Sequence, residues 1–155
     1  IVFTKLCLNR KFDYIEFRVD MKIPSCGSSH LFVGVLDKSK YITDNLTSSF
    51  WKDSPSSFYW DVWSNKLIKT DSNGNQVGTK SGYGCMCEHE VDKITRIGVY
   101  YNYDRKSISF FKNGVNQGIA FEGVPENLTV SLDVWFEYGS VEVAKEFEPK
   151  EINCL

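Results

Sequence analysis

In IEFRVDMKI, residues 15 to 23, Ile15, Phe17, Val19, Met21 and Ile23 alternate with Glu16, Arg18, Asp20 and Lys22. A period of two sends successive side chains to opposite sides of an extended chain, so this segment predicts a strand with one buried and one wet face. No window of eleven residues sustains apolar positions at i, i+3, i+4 and i+7, so few or no helices are expected. Many short apolar runs with turn residues between them leave an all-β chain. The expected architecture is a two-sheet antiparallel β-sandwich.

The rest of the chain supports that reading. LFVGVL (31–36) is a continuous apolar run of strand length and suits a strand buried on both sides. A long polar loop follows from Asp37 to Ser57, anchored by Tyr41, Ile42, Leu46, Phe50 and Trp51. FYWDVW (58–63) and KLIK (66–69) predict two short strands turning at Ser64-Asn65, and TDSNGNQVGTKSGYG (70–84) is turn-rich. Ile97, Val99, Tyr101 and Tyr103 share one strand face, as do Ile108 and Phe110. Asn113-Gly114 supplies the two positive-φ residues of a type I′ turn, so 107–112 should fold back on 115–121. VPEN (124–127) turns again, and LTVSLDVWF (128–136) with SVEVAKEF (140–147) is expected to complete the meander. The whole chain, 1–155, is read as one domain with its core in 12–147 and a peripheral tail at 148–155; at this length it can bury roughly 68–70% of its unfolded surface.

The composition excludes several classes of function. Eighteen basic and twenty acidic residues leave a net charge of −2 with no basic stripe, which argues against nucleic acid as a partner. No apolar stretch approaches the twenty or so residues a bilayer needs. Five cysteines at irregular spacings predict a reducing, intracellular setting, cytoplasmic or nuclear, although the sequons Asn45-Leu46-Thr47 and Asn127-Leu128-Thr129 point the other way. Of the two histidines, His30 reads as a surface or capping residue and His89 belongs to Cys85-Met86-Cys87-Glu88-His89. That cluster offers three ligands where structural zinc takes four, so Cys85 and Cys87 are expected as small buried residues and no metal is expected. Glu137, Glu142 and Glu146 read as a solvated strand face and not as a hydrolytic carboxylate pair. No catalytic residue and no cofactor is expected.

Tyr103-Asp104, Ser109-Phe110, Asn113-Gly114, Gly118-Ile119-Ala120-Phe121 and Val124-Pro125, followed by NLTVSLDVWFEYGSVEV, resemble in order the C-terminal half of a SPRY domain. Upstream, YIEFRVDMKIP, LFVGVLDKS and FYWDVWSNKLIKTDSNG are similar to its earlier strands, so the resemblance covers most of residues 12 to 147. It implies a sandwich of the concanavalin-like jelly-roll architecture that binds a protein or short peptide through loops at one rim. The pattern is nearest to the SPRY domains of SOCS-box and F-box proteins. In those, a Val-Trp-Gly segment and the tyrosine of Leu-Tyr-His help form a pocket for an Asn-rich peptide, and the matching positions are Val134, Trp135, Phe136 and Ile68. Phe136 stands where that family has glycine and Ile68 where it has an aromatic donor, so the resemblance implies a shared site without implying the same peptide specificity. Thr70 and Tyr41 are the expected polar flanks of the site, Trp60 is expected in the core, and Trp51 is either a loop anchor or a binding residue. The implied function is a non-enzymatic recognition module, a monomeric domain within a larger chain such as a ubiquitin-ligase adaptor. The alternative is a carbohydrate-binding β-sandwich, for which tryptophans and Asn/Asp loops would also serve.

Overall fold

The computed structural model describes residues 2–8, 13–22, 30–37, 56–84, 94, 96–126, 128–135 and 138–144; for 2–7, 21, 22, 30, 134, 135, 138 and 139 the description extends to the backbone alone. Eleven strands follow in chain order: β1 (Val2–Cys7), β2 (Tyr14–Lys22), β3 (His30–Leu36), β4 (Ser57–Asp61), β5 (Lys66–Thr70), β6 (Gln76–Ser81), β7 (Arg96–Asn102), β8 (Ser107–Lys112), β9 (Val115–Phe121), β10 (Thr129–Trp135) and β11 (Tyr138–Ala144). They form a six-stranded sheet, β1-β10-β3-β4-β5-β6, and a five-stranded sheet, β11-β2-β7-β8-β9. Every pairing is antiparallel. The described residues contain no helix.

The core lies between the sheets and is built from alternate residues of each strand. Ile15, Phe17 and Val19 of β2, Ile97, Val99 and Tyr101 of β7, and Ile108 and Phe110 of β8 meet Leu31, Val33 and Val35 of β3, Trp60 of β4 and Leu67 of β5. Trp60 is fully buried, with ring contacts to Tyr83 (centroids 5.4 Å apart) and Phe110 (5.8 Å). β3 is buried on both faces, as its unbroken apolar run requires: Phe32 and Leu36 form a second cluster with Tyr59 and Ile68 on the other side of the six-stranded sheet.

One position of β2 departs from the expected wet face. Glu16 is only 5% exposed. The Tyr14 hydroxyl donates to Glu16 Oε2 at 2.8 Å, and Arg96 Nη1 stands 3.7 Å from Oε1, so this carboxylate keeps polar partners although it is buried. Tyr14 also lies across Gly98, where a Cβ would come within 2.7 Å of its ring.

The β8–β9 hairpin is as expected, with φ of 49° at Asn113 and 83° at Gly114. Its tip is tied to β7: Asn113 N–H donates to the Arg96 carbonyl at 2.9 Å, and Arg96 N–H donates to Asn113 Oδ1 at 3.1 Å. Further along, the register slips between Ser109 and Phe111. There Phe110 N–H donates to Tyr83 Oη at 3.2 Å, and Tyr83 Oη donates to the Gly118 carbonyl at 2.7 Å, with Gly118 at φ 92°. The buried phenol thus takes up two backbone groups that the bulge leaves without ladder partners.

Two expectations are corrected. Residues 70–84 are turn-rich only in part, because 76–81 form β6, an edge strand with all six residues exposed. With both faces wet it has no apolar alternation to reveal it. β10 and β11 do not complete the β7–β8–β9 meander: β10 crosses to the other sheet and pairs with β1 and β3, while β11 pairs with β2. VPEN marks that the chain turns, and the sheet it turns to is decided by distant partners. β1, which precedes residue 12, is an edge strand on β10.

Burial holds the Tyr59 and Tyr83 hydroxyls up to about 12, from an ordinary 10. A raised folded-state value contributes stability that is complete below the unfolded value and lost as pH climbs toward the folded one. Alkaline titration followed by circular dichroism and tyrosinate absorbance should therefore show stability falling above about pH 10, with these two phenols ionising together with unfolding. Ionisation of every tyrosine before any loss of structure would contradict their burial.

Candidate functional site

A cleft of about 510 Å³ opens at one end of the six-stranded sheet, where β3 ends, β4 begins, β5 ends and the turn into β10 arrives. Its lining includes Phe58, Lys69, Thr70, Asp71, Pro125 and Glu126. The frame is stiff because each segment is tied to another. Ser57 N–H donates to Thr70 Oγ1 at 2.9 Å, the two hydroxyls share a hydrogen bond at 2.8 Å, and Ser56 N–H donates to the Asp71 carbonyl at 2.7 Å. Asp71 organises the β5–β6 turn: its carboxylate accepts the N–H groups of Asn73 (2.8 Å) and Asn75 (2.9 Å) and the Asn75 side-chain amide (3.2 Å). Those donors, the Asn75 amide foremost, hold its carboxyl below the ordinary carboxylate value. On the far wall, Val124 N–H donates to the Lys106 carbonyl and Tyr101 Oη donates to the Val124 carbonyl at 2.6 Å, which fixes Pro125 and Glu126.

The floor is apolar and the rim charged. Phe58 is 5% exposed and packs edge-on against Phe121 at 5.5 Å, while Lys69 Nζ stands 5.3 Å from the centre of the Phe58 ring. Asp37, Asp71 and Glu126 give three carboxylates to the one ammonium of Lys69. The lining contains neither histidine nor cysteine, and among the described residues no three His, Cys, Asp or Glu side chains group as a metal site would need. An apolar floor with separated rim charges suits the grip of a chain segment. The Ser57 and Thr70 hydroxyls serve to hold β4 to β5.

The family model for the SPRY domain matches residues 14–144. The chain belongs to the SPRY family. Among solved structures, the SPRY domain of human HERC1 superposes with a TM-score of 0.51 at 19% identity, covering 91% of this chain and 76% of that one. The TRIM65 PSpry domain gives a TM-score of 0.47 at 15% identity, covering 93% of this chain and 68% of that one. No curated protein matches. At these identities the structural likeness speaks to the fold: a two-sheet antiparallel SPRY sandwich.

The residues singled out from the sequence of this SPRY chain do not converge on the cleft. Thr70 lines it, 2% exposed. Ile68 is 6% exposed, packed with Phe32, Leu36 and Tyr59, and its row across the sheet runs through Tyr59, Gly34 and Ser131. Val134 and Trp135 are the last residues of β10, paired with Leu31 and His30; their side chains, like Tyr41 and Phe136 as a whole, lie outside the described residues. The start of β10, Thr129, pairs with Leu36, which pairs with Ser57 beside Thr70. Thr70 and Trp135 are therefore at opposite ends of the sheet, six residues apart along β10, or about 20 Å. Trp51, Cys85 to His89, Glu137 and Glu146 also fall outside the described residues, and Glu142 is exposed on β11 opposite Arg18. Trp60 is in the core as expected. Lys69, Phe58, Asp71 and Glu126 were not legible as site residues, because Glu126 reaches the end of β5 only through the crossing of β10.

Proposed function

We infer that this SPRY chain is a non-enzymatic recognition module that binds a protein or short peptide segment through loops at one end of its sandwich. The observation that supports this is the cleft itself: four separate chain segments, each fixed by hydrogen bonds, present an apolar floor and charged rim without a group tuned for chemistry. A preformed site of this kind lowers the ordering cost of association. Family membership supports the same reading, and neither it nor the cleft favours the carbohydrate alternative. The end of β10 with Val134, Trp135 and Phe136, nearest in pattern to SOCS-box and F-box relatives, is the second candidate location. The remaining parts of the proposal are a place within a larger chain such as a ubiquitin-ligase adaptor, an intracellular setting and a monomeric state.

A peptide-display selection on the 155-residue chain, run beside a glycan array, tests the reading. The expected result is a family of related peptides, no glycan, and a loss of about 2 kcal/mol, roughly thirtyfold in Kd, on Glu126→Lys or Lys69→Glu. Glycan binding with no peptide enriched would overturn it.

A further inference from the structure

The chain contains two Asn-Gly steps, Asn73-Gly74 and Asn113-Gly114. Both lie in hairpin turns with the asparagine exposed, and glycine as the following residue leaves the peptide nitrogen free of a Cβ that would hinder its attack on the asparagine side chain. The fold treats them differently. At Asn113 the side-chain oxygen accepts Arg96 N–H at 3.1 Å while its own N–H donates to the Arg96 carbonyl at 2.9 Å, so the amide is pinned to the neighbouring strand. At Asn73 the backbone N–H donates to Asp71 Oδ1 at 2.8 Å, and among the described residues the side-chain amide has no hydrogen-bond partner. The Gly74 N–H lies 3.2 Å from the Asp71 carbonyl and also faces the Asp71 carboxylate.

We propose that Asn73 is a site of spontaneous deamidation, a slow one-way modification that places a new carboxylate at the edge of the cleft, and that the fold protects Asn113 from the same reaction. In the first step the Gly74 nitrogen bonds to Asn73 Cγ, the bond from Cγ to the side-chain nitrogen breaks, and ammonia leaves with the proton lost from Gly74. Water then opens the cyclic imide at either carbonyl, giving aspartate or isoaspartate. Either product adds a negative charge next to Asp71, which already lines the cleft. Isoaspartate also lengthens the main chain by a methylene between Asp71 and Asn75, whose N–H and side-chain amide both hold the Asp71 carboxylate. Because β6 is laddered to β5 alone among the described strands, that lengthening loosens an edge whose register already shifts at Thr70. This inference stands apart from the proposed recognition function, since it depends on the turn chemistry and not on any partner.

The test is incubation of the full chain in mildly alkaline buffer, folded and in concentrated urea, with peptide mapping by mass spectrometry over time. The expected result is conversion at Asn73 at least about tenfold faster than at Asn113 in the folded protein, from the hydrogen bonds Asn113 must first break, with both acid isomers found at 73. In urea the two steps should react at similar rates. Three results would overturn the proposal: Asn113 keeping pace in the folded chain, a difference that persists in urea, or neither site reacting faster than the other asparagines.

Discussion

Replacing Trp60 by alanine is expected to cost about 3–5 kcal/mol of folding stability, read from denaturant unfolding. The indole is fully buried in the centre of the sandwich, ringed by Tyr83 and Phe110, and a Cβ placed at Gly84 would come within 3.1 Å of it. No neighbour can fill so large a space without leaving its own strand register. The loss is one of packing, since the buried Nε1–H has no hydrogen-bond partner among the described residues. Trp60→Phe removes that unpaired donor along with some apolar area, so it should cost far less, about 1–2 kcal/mol. Equal losses from the two variants would show that the indole N–H matters to folding in a way this geometry does not supply.

Gly34→Ala should be nearly as damaging although it adds a single methyl. Gly34 sits in β3 between Ser131 of β10 and Tyr59 of β4. A Cβ there would strike the Phe58 carbonyl oxygen and Tyr59 Cβ, and would lie 2.7 Å from Tyr59 Cα. These are backbone and near-backbone atoms of a paired strand, so relief requires β3 and β4 to separate. A cost of roughly 3 kcal/mol or more is expected, at the upper end of overpacking. Gly78→Ala in β6 is the matched control: its added Cβ meets only Lys69 Cβ, at 3.9 Å, and should change stability by no more than about 0.5 kcal/mol, if anything favourably. Thermal unfolding of the pair decides the point, and similar midpoints would contradict the close approach at Gly34.

Strands announced themselves in the sequence where burial was asymmetric or complete. β2 alternates, β3 is apolar throughout because both its faces are covered, and the β8–β9 turn needs the positive φ that Asn113 and Gly114 supply. β6 was silent because it buries nothing. The destination of β10 was silent for another reason: its alternation predicts a strand, but the choice between pairing with β9 and pairing with β3 rests on contacts almost a hundred residues away. That crossing is also why the cleft was illegible. It brings Pro125 and Glu126 to Lys69 and Thr70, and of that set the sequence singles out Thr70 alone. Glu16 reads as a solvent-facing charge until Tyr14 and Arg96 are seen around it.

A partner segment that seats in the cleft where β5 ends should leave its mark when a display-selected peptide is titrated into isotope-labelled chain and backbone amide shifts are followed. Perturbations centred on Ser56, Phe58, Lys69, Thr70, Asp71 and Glu126 are expected. Perturbations centred on Val134, Trp135 and Phe136, with the cleft residues unmoved, would contradict that seating.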